Sequence, residues 1–302
     1  SQLAGATIIA GIAVVLVIAL GITGRLATWI PAPIVFGLLA GAVVPFLTNI
    51  FNSMAEAPLI VAGTFFAYLL GRRFLENRLP PILPAFIVGH IIAWFEGSLG
   101  PIPADLALQM PALTLPKFTL SALTTAVPVL VVLITLQSNV PSIVYLREQE
   151  YKTPERAINF VSGIATAVGS LLGPTGISLS LPATSIVAGP DAGDRDKRYM
   201  TVFIVAGVAV LTGLLAGIAA DLPGMVPEPL LVTLAGLSVV NVFANAIQRV
   251  TQGPLRVGPL FAFVLALSDI SFLGFGSYFW ALVVGIGVSW ILERKELTGL
   301  RQ

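Results

Sequence analysis

The sequence contains no cysteine and a single histidine, His90. Disulfide bonds and thiolate chemistry are therefore excluded, together with nearly every metal site built from histidine and cysteine. Charged residues are scarce, at 10% of 302 residues, whereas a soluble domain carries roughly 25%. The net charge of +1 gives no field that would attract nucleic acid. With 56% hydrophobic residues and a mean hydropathy of +0.95, the chain is predicted to be a polytopic membrane protein, and we expect no cofactor.

Apolar runs between charged or Pro- and Gly-rich breaks predict eleven membrane segments, several of them shorter than the roughly 20 residues of a simple crossing. Of the 16 Lys and Arg residues, 15 fall in alternate loops and the tail, and only Lys117 falls on the other side. Because basic loops face the cytoplasm, a multi-pass protein of the inner membrane with a cytoplasmic tail at 293–302 is predicted. The segments lie near 3–24, 32–54, 57–71, 81–95, 119–145, 155–172, 177–189, 199–219, 229–247, 257–272 and 277–292.

An internal repeat relates the two ends of the chain. The stretch Ile30-Pro-Ala-Pro-Ile-Val35 has a similar counterpart in Val226-Pro-Glu-Pro-Leu-Leu231, seven segments later. Because seven is odd, the second copy enters the membrane from the opposite side, and such inverted repeats are typical of secondary transporters. If the unit has seven helices, three helices are expected before Ser1, and the absence of an initial Met agrees with this expectation.

A broken membrane segment is predicted at 177–189. Residues 177–181 alternate between apolar and polar, which predicts a short strand, and Pro182 suits the start of a helix that Gly189 and Pro190 end. Strand and half-helix together span roughly 28 Å, so the amino end of the half-helix would lie near the midplane and could bind an anion. Alternatively, the segment is a loop between helices whose hydroxyls bond to backbone. The hydroxyls concerned belong to Ser178, Ser180, Thr184 and Ser185.

Three adjacent polar residues interrupt the apolar segment 119–145. Gln137, Ser138 and Asn139 precede Pro141, which frees an upstream carbonyl group. Polar side chains inside a span either line a substrate site or join neighbouring helices, and this stretch alone leaves both interpretations open. The broken segment nearby favours a substrate site.

These stretches resemble the benzoate–proton symporters of the BenE family, relatives of the nucleobase and sulfate permeases with a seven-plus-seven inverted-repeat fold. The resemblance implies that the chain represents helices four to fourteen, without the third helix whose strand pairs with the tenth. It implies a core domain formed by 1–24 and 119–219 and a gate domain formed by 32–95 and 229–292. The stretches that carry it are Gly21-Ile-Thr-Gly-Arg-Leu26 with Ile30-Pro31, Ser138-Asn-Val-Pro-Ser142, Gly173-Pro-Thr-Gly176, Gly189-Pro-Asp-Ala192, Asp196-Lys-Arg-Tyr199 and Gly274-Phe-Gly-Ser-Tyr-Phe-Trp280.

The resemblance further implies proton-coupled symport of benzoate or a related aromatic carboxylate by a non-enzymatic membrane protein. Ser138 and Asn139 would line the site with Gln137, although Gln137-Ser138 stands where the family usually has Ser-Gln. The broken segment would contribute Ser178, Ser180, Pro182, Thr184 and Ser185. The sequence has no acidic residue between 106 and 147 or between 156 and 190, which suits a carboxylate ligand and poorly suits a nucleobase.

Two titratable residues are weaker candidates for proton coupling. His90 lies within a predicted span of the gate domain, where a structural hydrogen bond is the favoured interpretation, and Asp269 lies near an outer helix end. An alternative function is that of a truncated homologue that no longer transports and serves as a structural subunit of a membrane complex. A second copy of the chain or another membrane chain would then cover the unpaired strand.

Overall fold

The computed structural model describes residues 1–19, 28–75, 78–101, 112–268 and 270–299. These residues form α-helices with short connections and a single isolated β-bridge between Phe272 and Phe275. The helices are α1 (Gln2–Ala19), α2 (Ala32–Ser53), α3 (Pro58–Leu75), α4 (Ile82–Phe95), α5 (Leu120–Val132), α6 (Val140–Glu148), α7 (Glu155–Gly169), α8 (Leu181–Ala188), α9 (Tyr199–Leu214), α10 (Ala216–Met225), α11 (Glu228–Ser238), α12 (Val240–Gln252), α13 (Val257–Leu267), α14 (Ser277–Leu292) and α15 (Arg294–Gly299).

Several of these helices are long and apolar enough to cross a bilayer. Within the described residues four continuous helical stretches meet that standard, and α11 with α12 adds a fifth if this pair, bent by 40°, is one span. The long stretches are Ala32–Ser53, Pro58–Leu75, Leu120–Glu148 and Arg195–Leu214, and shorter apolar helices occur at Gln2–Val17, Ile82–Phe95, Val257–Leu267 and Ser277–Leu292. Large apolar side chains point outward from them, including those of Leu16, Phe66 and Phe203, as on a surface covered by lipid. The chain is a multi-pass membrane protein.

The chain divides into two compact units. Unit 1 comprises Ser1–Ala42, Pro111–Tyr199 and Asn245–Gln302, and unit 2 comprises Val43–Met110 and Met200–Ala244. This division describes how the residues cluster. The assignment of helices to a core and a gate domain stays a prediction.

In unit 1, α1 packs against α5 and α7, and α13 packs against α14. The crossing of α1 and α7 is close because each helix has a glycine there. A Cβ atom on Gly11 would lie 2.5 Å from the carbonyl oxygen of Gly163, and a Cβ atom on Gly163 would lie 2.7 Å from that of Gly11. Both distances are far below van der Waals contact, so this crossing requires two glycines.

A buried carboxylate joins α13 to the end of α14. Glu293 accepts hydrogen bonds from the backbone N–H groups of Arg256, Val257 and Gly258 at 2.5, 2.7 and 3.0 Å, and from the Ser289 hydroxyl at 3.0 Å. Burial acts to raise the pKa of Glu293, but these four donors together outweigh it and hold the pKa below its usual value. A negative charge at the amino end of α13 also suits the helix dipole. The sequence predicts this residue only as the first of the cytoplasmic tail at 293–302.

In unit 2, α11 packs against α3 and α4. One apolar cluster joins Ile50, Val61, Tyr68, Ala85 and Leu237, and a second joins Ile60, Ala93 and Leu230. These side chains recur at helical spacing on the faces that meet, which leaves the remaining faces for lipid.

The prediction of a strand at 177–181 is wrong. Residues 175–180 are not helical and belong to no β-ladder within the described chain, and Leu181 already begins α8. Ser180 does have an extended backbone, with φ −109° and ψ 123°. The side chains of Asn139 and Thr166 bond to the backbone of Ile177 and Leu179, and no strand pairs with this segment within the described residues.

Candidate functional site

The polar residues at 137–139 lie in a π-helical turn inside unit 1. Leu133–Asn139 forms this π-segment between α5 and α6, and the N–H of Val140 donates to the carbonyl of Thr135, five residues earlier. Such turns are rare and frequently occur at functional sites. The extra residue per turn shifts the side chains that follow around the helix axis. Residues 137–139 and the proline-containing start of α6 therefore lie where the long apolar span departs from regular α-helix.

Asn139 is fully buried, and its amide is saturated with hydrogen bonds. Its Nδ2 donates to Asn159 Oδ1 at 3.0 Å and to Ser162 Oγ at 3.1 Å, both on α7. Its Oδ1 accepts the backbone N–H of Leu179 at 2.8 Å. Asn139 therefore ties three pieces of chain together: the π-segment, α7 and the segment that precedes α8.

That segment, residues 174–180, leads directly into the short helix α8. Thr166 on α7 holds it at a second point, because its Oγ1 accepts the N–H of Ile177 at 2.8 Å and donates to the carbonyl of Ile177 at 3.2 Å. Ser180 precedes the first turn of α8, and Pro182 occupies that turn. The Thr184 N–H bonds to the Ser180 carbonyl at 2.7 Å, and the Ser185 hydroxyl bonds to the Pro182 carbonyl at 2.7 Å.

The amino end of α8 leaves several donors available. Among the described residues, no acceptor lies at hydrogen-bond distance from the N–H groups of Leu181 and Ala183. The hydroxyls of Ser138, Ser178 and Ser180 likewise have no partner within the described parts of the chain, and all three residues are at least partly accessible. Free N–H groups at a helix start carry a partial positive charge and bind anions.

The opposite end of α8 is fastened to its surroundings. Arg198 donates to the carbonyls of Ala188 at 2.9 Å and Gly193 at 2.8 Å, placing a positive charge at the negative end of the α8 dipole. The hydroxyl of Tyr145 on α6 lies 3.4 Å from the carbonyl of Ser185. The half-helix is thus held at its carboxyl end, while its amino end keeps free donors.

Comparison with known proteins identifies the family. The sequence profile of the BenE family, described as "Benzoate membrane transport protein", matches residues 1–291. The chain belongs to the BenE family. The benzoate membrane transport protein of Acinetobacter baylyi is 30% identical over 295 residues, which cover 94% of this chain and 73% of that protein. The inner membrane protein YdcO of Escherichia coli is 24% identical over 285 residues, which cover 92% of this chain and 71% of that protein.

This BenE chain builds the site elements of unit 1 without any charged side chain. Neither 118–146 nor 157–190 contains Asp, Glu, His, Lys or Arg. Any charge on a ligand there would be met by hydroxyls, amides and backbone dipoles alone. The amide oxygen Oε1 of Gln137 is buried and has no hydrogen-bond partner among the described residues, so one further polar atom is left unused.

The predicted site residues thus fall into three groups. Ser138, Ser178 and Ser180 keep free hydroxyls, and Gln137 keeps a free amide oxygen. Asn139 is committed to the protein, and so is the hydroxyl of Ser185. Thr184 is buried and Pro182 is half-buried in the first turns of α8. Whether these residues of the BenE chain touch a substrate stays a prediction.

Of the two candidates for proton coupling, the structure describes His90. His90 is half-buried on α4 in unit 2, and its Nδ1 lies 2.8 Å from the carbonyl oxygen of Phe86, one turn earlier on the same helix. Its ring also contacts the Phe86 ring. Asp269 lies outside the described residues.

Sequence reasoning missed the polar face of α7. Asn159, Ser162 and Thr166 are spaced by three and four residues, so they share one helical face, and all are buried. This spacing within an otherwise apolar helix was a readable signal, because buried polar side chains in a membrane helix need a partner.

Proposed function

We propose that the chain acts as a secondary transporter that carries benzoate or a related aromatic carboxylate together with protons across the cytoplasmic membrane. The transporter would have the seven-plus-seven inverted-repeat fold. The core helices within 1–24 and 119–219 would move against the gate helices within 32–95 and 229–292, and the tail would face the cytoplasm. Family membership supports membrane transport of this substrate class.

The observation that carries the proposal is the amino end of α8. It offers the unpaired N–H groups of Leu181 and Ala183, in a part of the chain without acidic side chains. A carboxylate placed there would accept these N–H groups and would interact favourably with the helix dipole. The hydroxyls of Ser138, Ser178 and Ser180 would donate to the same carboxylate.

A neutral, hydroxyl-lined site distinguishes carboxylates from nucleobases. A nucleobase presents N–H donors that require acceptors, and acidic side chains are the strongest acceptors. Between 118 and 146 and between 157 and 190 there are none. A carboxylate ligand presents only acceptors, which match the free donors of the site.

The test is uptake of radiolabelled benzoate into liposomes containing the protein. Protein-free liposomes give the correction for neutral benzoic acid, which crosses lipid unaided. An inside-alkaline pH gradient should stimulate the protein-dependent uptake, and excess unlabelled benzoate should compete whereas benzamide, which lacks the charge, should not. Absence of protein-dependent uptake contradicts transport of benzoate. A protein-dependent uptake rate that is the same with and without the pH gradient contradicts proton coupling.

Substitutions of the serines test where the substrate binds. Replacing Ser178 and Ser180 together by Ala should lower uptake by about a hundredfold or more, since each of the two hydrogen bonds to a charged group is worth about 1.5–3 kcal/mol. Ser121→Ala is the matched control, because Ser121 is exposed near the start of α5, at the far end of that span from the π-segment. Equal uptake by the double variant and the control would contradict this placement of the site.

A further inference from the structure

The polar face of α7 holds the backbone of residues 177–179 at two points. Thr166 bonds directly to both the N–H and the carbonyl of Ile177. Asn159 and Ser162 act one step removed, because they orient the Asn139 amide whose oxygen accepts the N–H of Leu179. Asn159 is itself oriented by a bond from its Nδ2 to the Glu155 carbonyl at 2.9 Å.

The two attachment points lie on one edge of the segment. In extended chain, alternate N–H groups point to the same side, so those of Ile177 and Leu179 share an edge. The N–H groups of Ser178 and Ser180 then point to the other edge, and no acceptor bonds to them among the described residues. Holding one edge fixes the position of the serines and of the α8 amino end that follows them.

The side chains of α7 that hold the segment are buried, so their hydrogen bonds are needed to satisfy them. Asn159 and Thr166 are fully buried, and Ser162 nearly so, where an unpaired polar group would be costly. Each one contacts the protein and has no free surface for a ligand. The Thr166 hydroxyl both accepts from and donates to the backbone of Ile177, which are the two bonds that a residue of a neighbouring strand would make.

From these contacts we infer that Thr166, Asn159 and Ser162 are positioning residues of the transport site. They set the register of segment 177–180 against the π-segment without touching the substrate. The inference rests on the proposed function, because the site it serves is the one proposed above. It assigns α7 a part in substrate affinity although α7 contributes no ligand-binding group.

The decisive variant is Thr166→Val, which keeps the shape of the side chain and removes the hydroxyl. Thr166→Ser keeps the hydroxyl and tests for rescue. Thr7→Val is the control, since Thr7 is nearly as buried on α1 but, among the described residues, its hydroxyl bonds only to the Leu3 carbonyl of its own helix. The variants are studied in the protein reconstituted in lipid.

The first readout is amide hydrogen exchange of the peptide covering 174–181 without substrate. Thr166→Val should accelerate exchange there by about tenfold, as expected for losing a backbone partner worth roughly 1.4 kcal/mol, whereas Thr166→Ser and Thr7→Val should not. The second readout is benzoate uptake. Thr166→Val should raise KM by about tenfold with Vmax changed by less than about twofold, and Thr166→Ser should restore KM.

The outcomes separate the two proposals. Protein-dependent uptake that is absent in the unmodified protein contradicts the proposed function. Normal uptake by the unmodified protein, with unchanged KM and exchange in Thr166→Val, contradicts only the positioning role. A loss of Vmax at constant KM that Thr166→Ser does not rescue also contradicts it. If Thr166→Val does not fold, Ser162→Ala removes one acceptor of the Asn139 amide and should raise KM by about threefold. An unchanged KM in that variant overturns the inference.

Discussion

Adjacent residues Ser138 and Asn139 should respond differently to truncation, although sequence reasoning treats them as one pair. Asn139 is fully buried and bonds to Leu179, Asn159 and Ser162. Ser138 is half-buried, and its hydroxyl has no partner among the described residues. Asn139→Ala should therefore destabilise the protein, whereas Ser138→Ala should leave its stability nearly unchanged.

The size of the effect follows from the groups left without partners. Asn139→Ala leaves the Leu179 N–H without its acceptor and the buried Asn159 Oδ1 without its donor, and the Ser162 hydroxyl loses the amide N–H that it accepts. A buried unsatisfied group costs about 1–3 kcal/mol, so for two such groups we expect a total of about 2–6 kcal/mol. For a chain of this size that corresponds to a Tm lower by roughly 3–10 °C. Ser138→Ala should stay within about 0.5 kcal/mol, as surface substitutions usually do.

The assay pairs thermal unfolding, followed by tryptophan fluorescence in detergent, with benzoate uptake. Ser138→Ala should lose about tenfold in uptake at an unchanged Tm, because its hydroxyl would bond to a charged carboxylate. Thr135→Val is the control on the same π-segment, since within the described part of the chain the Thr135 hydroxyl bonds only to the Val131 carbonyl one turn earlier. A normal Tm for Asn139→Ala would refute the network argument, and normal uptake for Ser138→Ala would refute the site.

Three further predictions concern other parts of the chain. Glu293→Gln should lower stability at pH 7 by about 3 kcal/mol, because the amide loses the charge that four donors stabilise. Since the pKa of Glu293 is depressed, this contribution is present above the usual Glu pKa of about 4.3 and is lost as the pH falls through the folded-state pKa. The Tm values of the unmodified protein and of Glu293→Gln should therefore converge in acid. A Tm difference that stays constant with pH would contradict this prediction. Gly163→Ala should destabilise by about 1–3 kcal/mol in the same unfolding assay, whereas Gly207→Ala, where a Cβ meets nothing within 4 Å, should not; equal Tm values would be inconsistent with the close crossing. His90→Phe should leave the pH profile of benzoate uptake unchanged, because the imidazole bonds within its own helix, and a shifted profile would restore His90 as a proton carrier.

Local sequence features predicted where most helices lie. The predicted segment 32–54 became Ala32–Ser53, and the half-helix expected from Pro182 to Gly189 became Leu181–Ala188. The length of an apolar run and the position of a Pro or Gly break depend only on residues that are adjacent in the sequence, so both can be read directly from it. The predicted span 229–247 instead became two helices bent by 40° near Val239. Gly236 lies three residues before the break, and the prediction did not treat this glycine as a break.

The interactions of the site could not be read in the same way. Asn139 bonds to groups 20, 23 and 40 residues distant, and no local pattern specifies such partners. The π-segment forms where an N–H group bonds to the carbonyl five residues earlier instead of four, and residue types do not predict which of these two carbonyls accepts the bond. The alternating pattern at 177–181 indicated extended chain, but the partners of its backbone are the side chains of Thr166 and Asn139 rather than a strand.

A site without cations suits a transporter that must release its substrate. A buried Arg would cost several kcal/mol to desolvate, and once paired with a carboxylate it would resist separation. The α8 amino end instead offers a partial charge worth about 0.3–2 kcal/mol, and each hydroxyl bond to the carboxylate adds about 1.5–3 kcal/mol. Burial of an aromatic ring adds about 1.5–3 kcal/mol. With three or four such bonds the gross sum is about 6–17 kcal/mol, and association itself costs about 4–15 kcal/mol. A net value of about 4–8 kcal/mol lies within this range, corresponds to a Kd between about a millimolar and a micromolar, and permits both capture and release. Introducing a cation, as in Ser178→Arg, should therefore slow transport even where it strengthens benzoate binding; faster uptake by that variant would show that affinity, and not release, limits the rate.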